Sequence, residues 1–346
     1  MTATELLNEI SEYTQSDVVH LYLVERKIKP NAKTKDKPSD KFEYIPLQIN
    51  LSEALMPVVQ GMLKEVIKKK VKENVEIRPY DVVDDTEDKL QTYSDLGKIT
   101  GFQEFLNSRL GGEIKPLDSF EEVNQLEKAW ALCYGFYNNE KKKWLYCIKK
   151  LAPRNMVVDI ETSTSVKDAM INGFTSLFDT TTKTLKPFNG FSLNIEPSVD
   201  MIYLDAYIYI FRKKAFEDIT SLTEEFEVLA NDLVAEVEQI NFIDGLQHLS
   251  TIINSKPAFR NKLIKAKNIG NIDFLRTCTD IKNEFQRAGK KLEIIFEFDL
   301  SGKIIASNEE EAERIIKVLS EYYKEGIFAG KIFESTAGRL KNNSSK

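Results

Sequence analysis

Histidine is almost absent from this chain of 346 residues: His20 and His248 are the only two, and they lie far apart. Zinc and iron sites draw on several His, Cys or carboxylate ligands at short spacing, so a histidine-based metal centre is not expected. Cysteine is equally scarce. Cys133, Cys147 and Cys278 are too few and too scattered for a disulfide scaffold, and their odd number suits free thiols in a reducing cytosol. No apolar run approaches the roughly 20 residues that span a bilayer; the longest candidate, 201–211, is interrupted by Asp205. The opening MTATELLNEI lacks the basic segment and apolar run of a secretory signal, which predicts a cytoplasmic chain. There is no GxxxxGKS/T loop, no GxGxxG after a strand and no GxSxG elbow. Nucleotide cradling and serine acyl transfer therefore lack their usual sequences, and no cofactor is called for.

What is present is an ordinary folded composition, 42% hydrophobic and 29% charged, which argues against wholesale disorder. Subtracting 54 acidic from 48 basic residues gives a net charge of −6, so any attraction to an anionic partner must be local. The pattern predicts an α+β fold, with small antiparallel sheets and hairpins in the N-terminal half and a mixed sheet plus helical bundle in the C-terminal half. Thr4 is placed to cap a short helix carrying Leu6, Leu7 and Ile10, and 18–25 alternates as a strand. Further strands are expected at 42–50 and 75–83, with a helix from Glu53 to Lys70 between them. The aromatic runs 131–137 and 143–149 flank a five-residue loop and read as a hairpin; facing Tyr137 with Lys143 sets Cys133 opposite Cys147. Ile171, Phe174, Leu177 and Phe178 are spaced as a helical stripe. Three short extended runs at 191–195, 199–204 and 207–211 suggest another small sheet. Helices are then expected at 213–240, 242–253, 258–267 and 272–285. A strand at 292–298 follows, and a helix from Glu309 capped by Asn308. The composition shift near Phe191 divides the chain into 1–190, an α+β region with the aromatic hairpin, and 191–340, a second α+β region, with 341–346 as a frayed tail.

Positive charge is segregated within this acidic chain. Residues 245–272 contain no Asp or Glu but include Lys256, Arg260, Lys262, Lys265 and Lys267. On a helix from Ala258, the residues Phe259, Leu263 and Ala266 face inward and the cations are expected on the open side. A second acid-free run, 141–158, carries Lys141, Lys142, Lys143, Lys149, Lys150 and Arg154 around the aromatic hairpin. Cations beside aromatics suit phosphate contact and base stacking, and equally suit core packing. A third cluster, Lys68, Lys69, Lys70 and Lys72, ends a helix, where lysines also serve the helix dipole. Arg260, Lys262, Lys265, Lys267, Lys141, Lys142, Lys143 and Arg154 are the candidate DNA contacts on charge alone. Such binding is backbone-directed, weakly sequence-specific and steeply salt-dependent.

Residues 199–219, VDMIYLDAYIYIFRKKAFEDI, resemble the hallmark segment of the KwaB-like family of Kiwa anti-phage defence proteins. The matching pieces are Val199, Asp200, Ile202 and Tyr203, then Tyr207, Ile208 and Ile210, then Phe216, Glu217 and Ile219. Similarity continues to the tail around Leu319, Phe328 and Gly338, making 191–340 the KwaB-like region. The resemblance implies a cytosolic defence effector that binds phage DNA and blocks its replication or transcription. It also implies a membrane-spanning Kiwa partner, recruitment to the inner membrane through that partner, and a homodimer. No catalytic motif comes with the hallmark, and no catalytic residue is assigned. One alternative is a metal-dependent nuclease using Asp159 and Glu161 with Lys167, or the looser set Asp81, Glu87 and Lys89. The other is a noncatalytic scaffold whose lysines meet an acidic protein or the anionic inner leaflet.

Overall fold

A computed structural model describes residues 2–13, 19–33, 36–72, 75–84, 89–109, 129–151, 156–157, 176–187, 192–193, 195–325 and 332–334. The fold is α+β, built as two compact units: one holds 1–79 and 89–221, the other 80–88 and 222–346.

The first unit is organised by one mixed sheet. Its strands are β1 (Val19–Ile28), β2 (Phe42–Ile49), β3 (Glu76–Pro79), β4 (Lys89–Tyr93), β5 (Ala129–Asn138) and β6 (Lys143–Lys150). After the small pieces β7 (Met156–Val157), β8 (Ser176–Asp179), β9 (Thr184–Pro187) and β10 (Ser192–Leu193) come β11 (Met201–Leu204) and β12 (Tyr207–Ile210). Eight of them run β2-β1-β5-β6-β11-β12-β4-β3, antiparallel except at β3–β4. Strands expected in separate small sheets thus share one. Alternation gives the sheet two faces. Leu21, Leu23, Leu132, Phe136, Leu145, Cys147 and Ile202 meet Leu6, Ile10 and Tyr13 of α1 (Ala3–Tyr13) and Val59, Leu63 and Ile67 of α2 (Met56–Lys70) in a dry core. Helix α1 starts two residues earlier than expected. Thr2 Oγ1 accepts from Glu5 N while Glu5 Oε2 accepts from Thr2 N, a reciprocal capping box that Thr4 does not make.

The hairpin register also differs by one residue. Tyr137 faces Trp144, so Cys133 faces Ile148 and Tyr134 faces Cys147. The two cysteines therefore lie on opposite faces of the sheet, since a one-residue slip turns every side chain over. The cause is the turn: Asn138 pairs with Lys143 inside the ladder, its Oδ1 accepts from Glu140 N and Lys141 N, and Lys142 closes the loop at φ 52°. The stripe expected to be helical falls partly on the β8–β9 hairpin, with Leu177 and Phe178 in a strand; Ile171 and Phe174 lie outside the described residues.

The helix expected from Lys213 to Ile240 is two, α3 (Lys213–Ile219) and α4 (Leu222–Ile240), broken at Ser221 with φ 65°. In the second unit α4 is joined by α5 (Leu246–Ser255), α6 (Pro257–Asn268), α7 (Asn271–Thr277), α8 (Ile281–Leu292) and α9 (Glu309–Leu319). Asp280 splits the expected 272–285 helix, because its carboxylate caps α8 through Asn283 N; Asn308 caps α9 through Glu311 N. Leu233, Val237, Leu249, Ile252, Leu263, Ile264, Phe285, Ile315 and Ile316 form the core, completed by Val82 and Val83. A parallel pair, β13 (Ile243–Asp244) and β14 (Ile304–Ile305), lies beside it; a final hairpin joins β15 (Tyr323–Glu325) to β16 (Ile332–Glu334).

Candidate functional site

Helix α6 begins with Pro257 at its first turn and packs against α4, α5, α7 and α9. Surrounded on so many sides, it has no open face, and its cations are used internally. Arg260 is 6% exposed; its Nη1 donates to Glu227 Oε1 of α4 at 2.8 Å and its Nε to the Ile253 carbonyl. Lys262 is buried with Nζ over the rings of Tyr322 and Phe259, at 4.4 and 4.7 Å, and Lys265 is buried as well. Lys267 Nζ bridges Glu236 and Asp273 at 2.8 and 2.6 Å, and these hydrogen bonds raise its pKa. Lys256, at the head of α6, reaches Glu313 at 2.7 Å and Glu309 at 3.4 Å. The acids missing from 245–272 are supplied by α4, α7 and α9; Asp273 of α7 stands just past that window, but the acids of α4 and α9 lie beyond the reach of the local sequence.

The hairpin places its cations differently. Lys141 bridges Glu12 and Glu9 of α1, at 2.8 and 3.3 Å, and these raise its pKa. Lys143 Nζ lies 2.6 Å from Asp205 in the β11–β12 turn. Lys142 stands exposed at the tip and makes no ion pair among the described residues. Arg154 lies outside the described residues. Lys149 is buried against Glu196, and Lys150 Nζ sits 3.1 Å above the Trp130 ring, which also stacks on Arg26 at 3.6 Å. At the end of α2, Lys69, Lys70 and Lys72 are exposed, again with no ion pair among the described residues; Lys68 pairs weakly with Glu65 at 3.6 Å.

Behind the hairpin tip the sheet face away from α1 carries an aromatic row. His20, Gly135, Tyr146 and Tyr203 stand side by side on β1, β5, β6 and β11. Trp144 stacks on Tyr146 at 5.6 Å and meets His20 edge-on at 5.2 Å; Tyr146 stacks on Tyr203 at 6.4 Å. The gap is built by Gly135, where a Cβ would lie 3.1 Å from Tyr146 and 3.2 Å from Trp144. His20, Trp144 and Tyr203 are half-buried while Tyr22 and Tyr146 are buried. Burial lowers the His20 pKa, keeping that ring neutral.

The loose acidic sets fall largely outside the described residues. Asp159, Glu161, Lys167 and Glu87 lie outside the described residues, and Asp81 Oδ1 is engaged by Val83 N in a local turn. Among the described residues no three His, Cys, Asp or Glu side chains gather as a metal site, and no helix is long and apolar enough to cross a membrane.

A model of the Kiwa protein KwaB-like family matches residues 126–326, more than half of the chain. The chain belongs to that family. Membership makes it a component of Kiwa anti-phage defence. Neither the curated proteins nor the solved structures contain a match. Within the matched span the KwaB-like hallmark is a structural knot. Asp200, fully buried, accepts from Lys150 N at 2.7 Å and from Arg212 Nη1 at 3.0 Å; its amide donates to the Ile148 carbonyl and its carbonyl receives Phe211 N and Arg212 N. One residue thus fastens β6, the β11–β12 hairpin and the start of α3. Phe216 of α3 is buried against Tyr93 of β4, and Glu217 lies 4.0 Å from Lys213. Asp200 and Phe216 carry the resemblance in the sequence, but the fastening is invisible there, because most partners of Asp200 are backbone groups.

Proposed function

We propose that this chain is the DNA-binding effector of a Kiwa system. It acts in the cytoplasm, holds phage DNA mainly by its phosphates, and obstructs replication or transcription. It works as a homodimer recruited to the inner membrane by a membrane-spanning Kiwa partner. The observation that carries the DNA reading is the β5–β6 tip, where Lys142, with no ion pair among the described residues, projects from a rigid ladder beside half-buried Trp144 and His20. A cation without a carboxylate partner releases the phosphate's counterions without first breaking an ion pair. Lys69, Lys70 and Lys72 offer the same chemistry. Arg260, Lys262, Lys265 and Lys267 support the second unit in this reading.

The test is binding of the purified chain to unrelated DNA duplexes across a series of salt concentrations, with and without magnesium, scoring retention and cleavage together. Salt-sensitive retention without cleavage is expected. Lys142→Glu with Lys69→Glu and Lys70→Glu should lower the slope of log affinity against log salt by about 0.9 for each phosphate left without its cation. Unchanged affinity in that variant removes the tip from the interface. Magnesium-dependent cutting replaces the noncatalytic reading with the nuclease.

A further inference from the structure

Among the described residues, the chain beyond α8 leaves a sheet edge open in the second unit. Leaving α8, where Ile294 N donates to the Gly289 carbonyl, the chain comes beside β14 at 297–299: Phe298 bridges Ile304, Asp299 N donates to the Lys303 carbonyl, and Ile305 N donates to the Glu297 carbonyl. Since β14 pairs with β13 on its other side, this segment is the outer member of a small sheet. The Glu297 carbonyl and the Asp299 amide face β14 and the residue just before it. By the alternation of a strand, the backbone groups of Phe296 and Phe298 point the other way, and their amides make no hydrogen bond among the described residues. Side chains alternate too. Ile294, Phe296 and Phe298 are half-buried, with Phe296 edge-on to Phe285 at 5.4 Å, while Ile295 is 87% exposed and Glu297 is exposed. Leu300, in the turn that follows, is fully exposed.

A β-rich edge with a large apolar side chain in water is the template that proteins ordinarily blunt with lysine, proline or a bulge. None of these interrupts 294–299, whose sequence is Ile-Ile-Phe-Glu-Phe-Asp. We propose that this edge takes an extended segment of a partner protein as an added strand, one bearing an apolar residue followed two positions later by lysine or arginine. Backbone bonds to Phe296 and Phe298 supply the pairing, as in other strand-addition complexes. Side chains opposite the exposed pair Ile295 and Glu297 supply the selection, the Asp299 carboxylate being taken up by Ser301 Oγ and Lys303 N.

The same edge argues against a second copy of this chain as the occupant. An antiparallel pair centred on Glu297 sets that glutamate against itself, and one centred on Phe298 sets it against Asp299 of the copy. Like charges directly opposite destabilise a ladder, whereas a lysine there converts the repulsion to attraction.

The experiment titrates the full-length chain into fluorescein-labelled Thr-Val-Thr-Lys-Thr-Lys-Thr and, separately, its glutamate counterpart Thr-Val-Thr-Glu-Thr-Glu-Thr, reading anisotropy. The lysine peptide should bind at least tenfold more tightly. Ile295→Lys, at a site too exposed to disturb the fold, should weaken it at least tenfold, and Glu297→Lys should shift preference toward the glutamate peptide. Equal affinities, no saturation by either peptide, or undiminished binding in Ile295→Lys would overturn the proposal. So would a dimer, seen by sedimentation, that Ile295→Lys dissolves, since that result gives the edge to a second copy. None of these outcomes depends on DNA.

Discussion

Lys141–Lys143 at the β5–β6 tip and the cations of α6 stand in equally acid-free sequence, yet only the tip presents a cation, Lys142, both exposed and unpaired among the described residues. The difference is one of position in the fold. A hairpin tip has neighbours only at its base, so α1 and the β11–β12 turn neutralise Lys141 and Lys143 and leave the apex in water. A helix packed against four others meets acids from three of them, which pair with Lys256, Arg260 and Lys267. Local charge in a sequence measures the supply of cations. Whether a ligand can use them depends on how much of the segment's surroundings is protein.

The largest expected effect breaks the comparison on the α6 side. Arg260→Glu places a carboxylate in a buried site already facing Glu227 and should destabilise the second unit by about 3–5 kcal/mol. Chemical denaturation followed by circular dichroism measures it. If Arg260→Glu unfolds as the parent does, the α6 cations are surface groups after all and become candidates for direct DNA contact again. Any weakening of DNA binding in this variant has to be read against its stability, so charge reversal at buried Arg260 or Lys265 is an inferior probe of recognition.

A smaller effect is expected in the aromatic row. Gly135→Ala inserts a methyl group within 3.2 Å of both Trp144 and Tyr146 and should cost about 1–3 kcal/mol as the rings are pushed aside. The near-ultraviolet circular dichroism of the stacked rings should change with it. Unaltered stability would mean that the row is loosely packed and that Gly135 is not what holds its spacing.

Much of this architecture was legible in the sequence, and the misses share a cause. Asn308, Leu263 and the β5–β6 alternation announce their elements through neighbours three or four residues away or fewer, which is the range that capping and periodicity report. Thr2 and Thr4 both fit a cap, and only the reciprocal bond with Glu5 decides between them. The hairpin register turned on whether Asn138 ends the strand or begins the loop, a choice made by two side-chain hydrogen bonds. The eight-stranded sheet and all of the α6 ion pairs but Lys267–Asp273 join residues far apart along the chain, where a single sequence carries no pairing information. The hallmark segment was visible as a pattern, while its reason, Asp200 bonded to backbone of β6 and of the residues just after β12, was not.

Lys142 sharpens the comparison with effects of opposite sign. It holds φ 52°, a left-handed conformation that costs a residue with a Cβ about 1 kcal/mol relative to glycine. Lys142→Gly should therefore raise the stability of the first unit by up to about 1 kcal/mol while weakening DNA binding. A variant more stable and less adhesive than the parent separates recognition from folding, as no substitution in α6 can. A parallel fall in stability and binding would mean that Lys142 has a structural partner.

Protonation divides the two regions with the smallest effect. His20 is held neutral in the folded first unit because burial lowers its pKa below the ordinary 6.5. The unfolded chain takes up a proton as pH falls through 6.5 and the folded chain does not, so stability is lost below that pH and is flat above it. In the second unit the pKa of Asp273, like that of Asp299, is depressed, and the Asp273 carboxylate is held charged first by its hydrogen bond from Lys267. Its contribution is present above the unfolded value of 3.8 and disappears only as pH drops through the lower folded value. Melting followed by tryptophan fluorescence reports the first unit, since both Trp130 and Trp144 lie there. Its midpoint should begin to fall near pH 6.5, and His20→Gln should remove that early decline while leaving the acid limb near pH 4 in place. A midpoint flat down to about pH 5 in the parent would show that His20 is solvated enough to accept its proton in the folded state, and that the aromatic row is open at its β1 end.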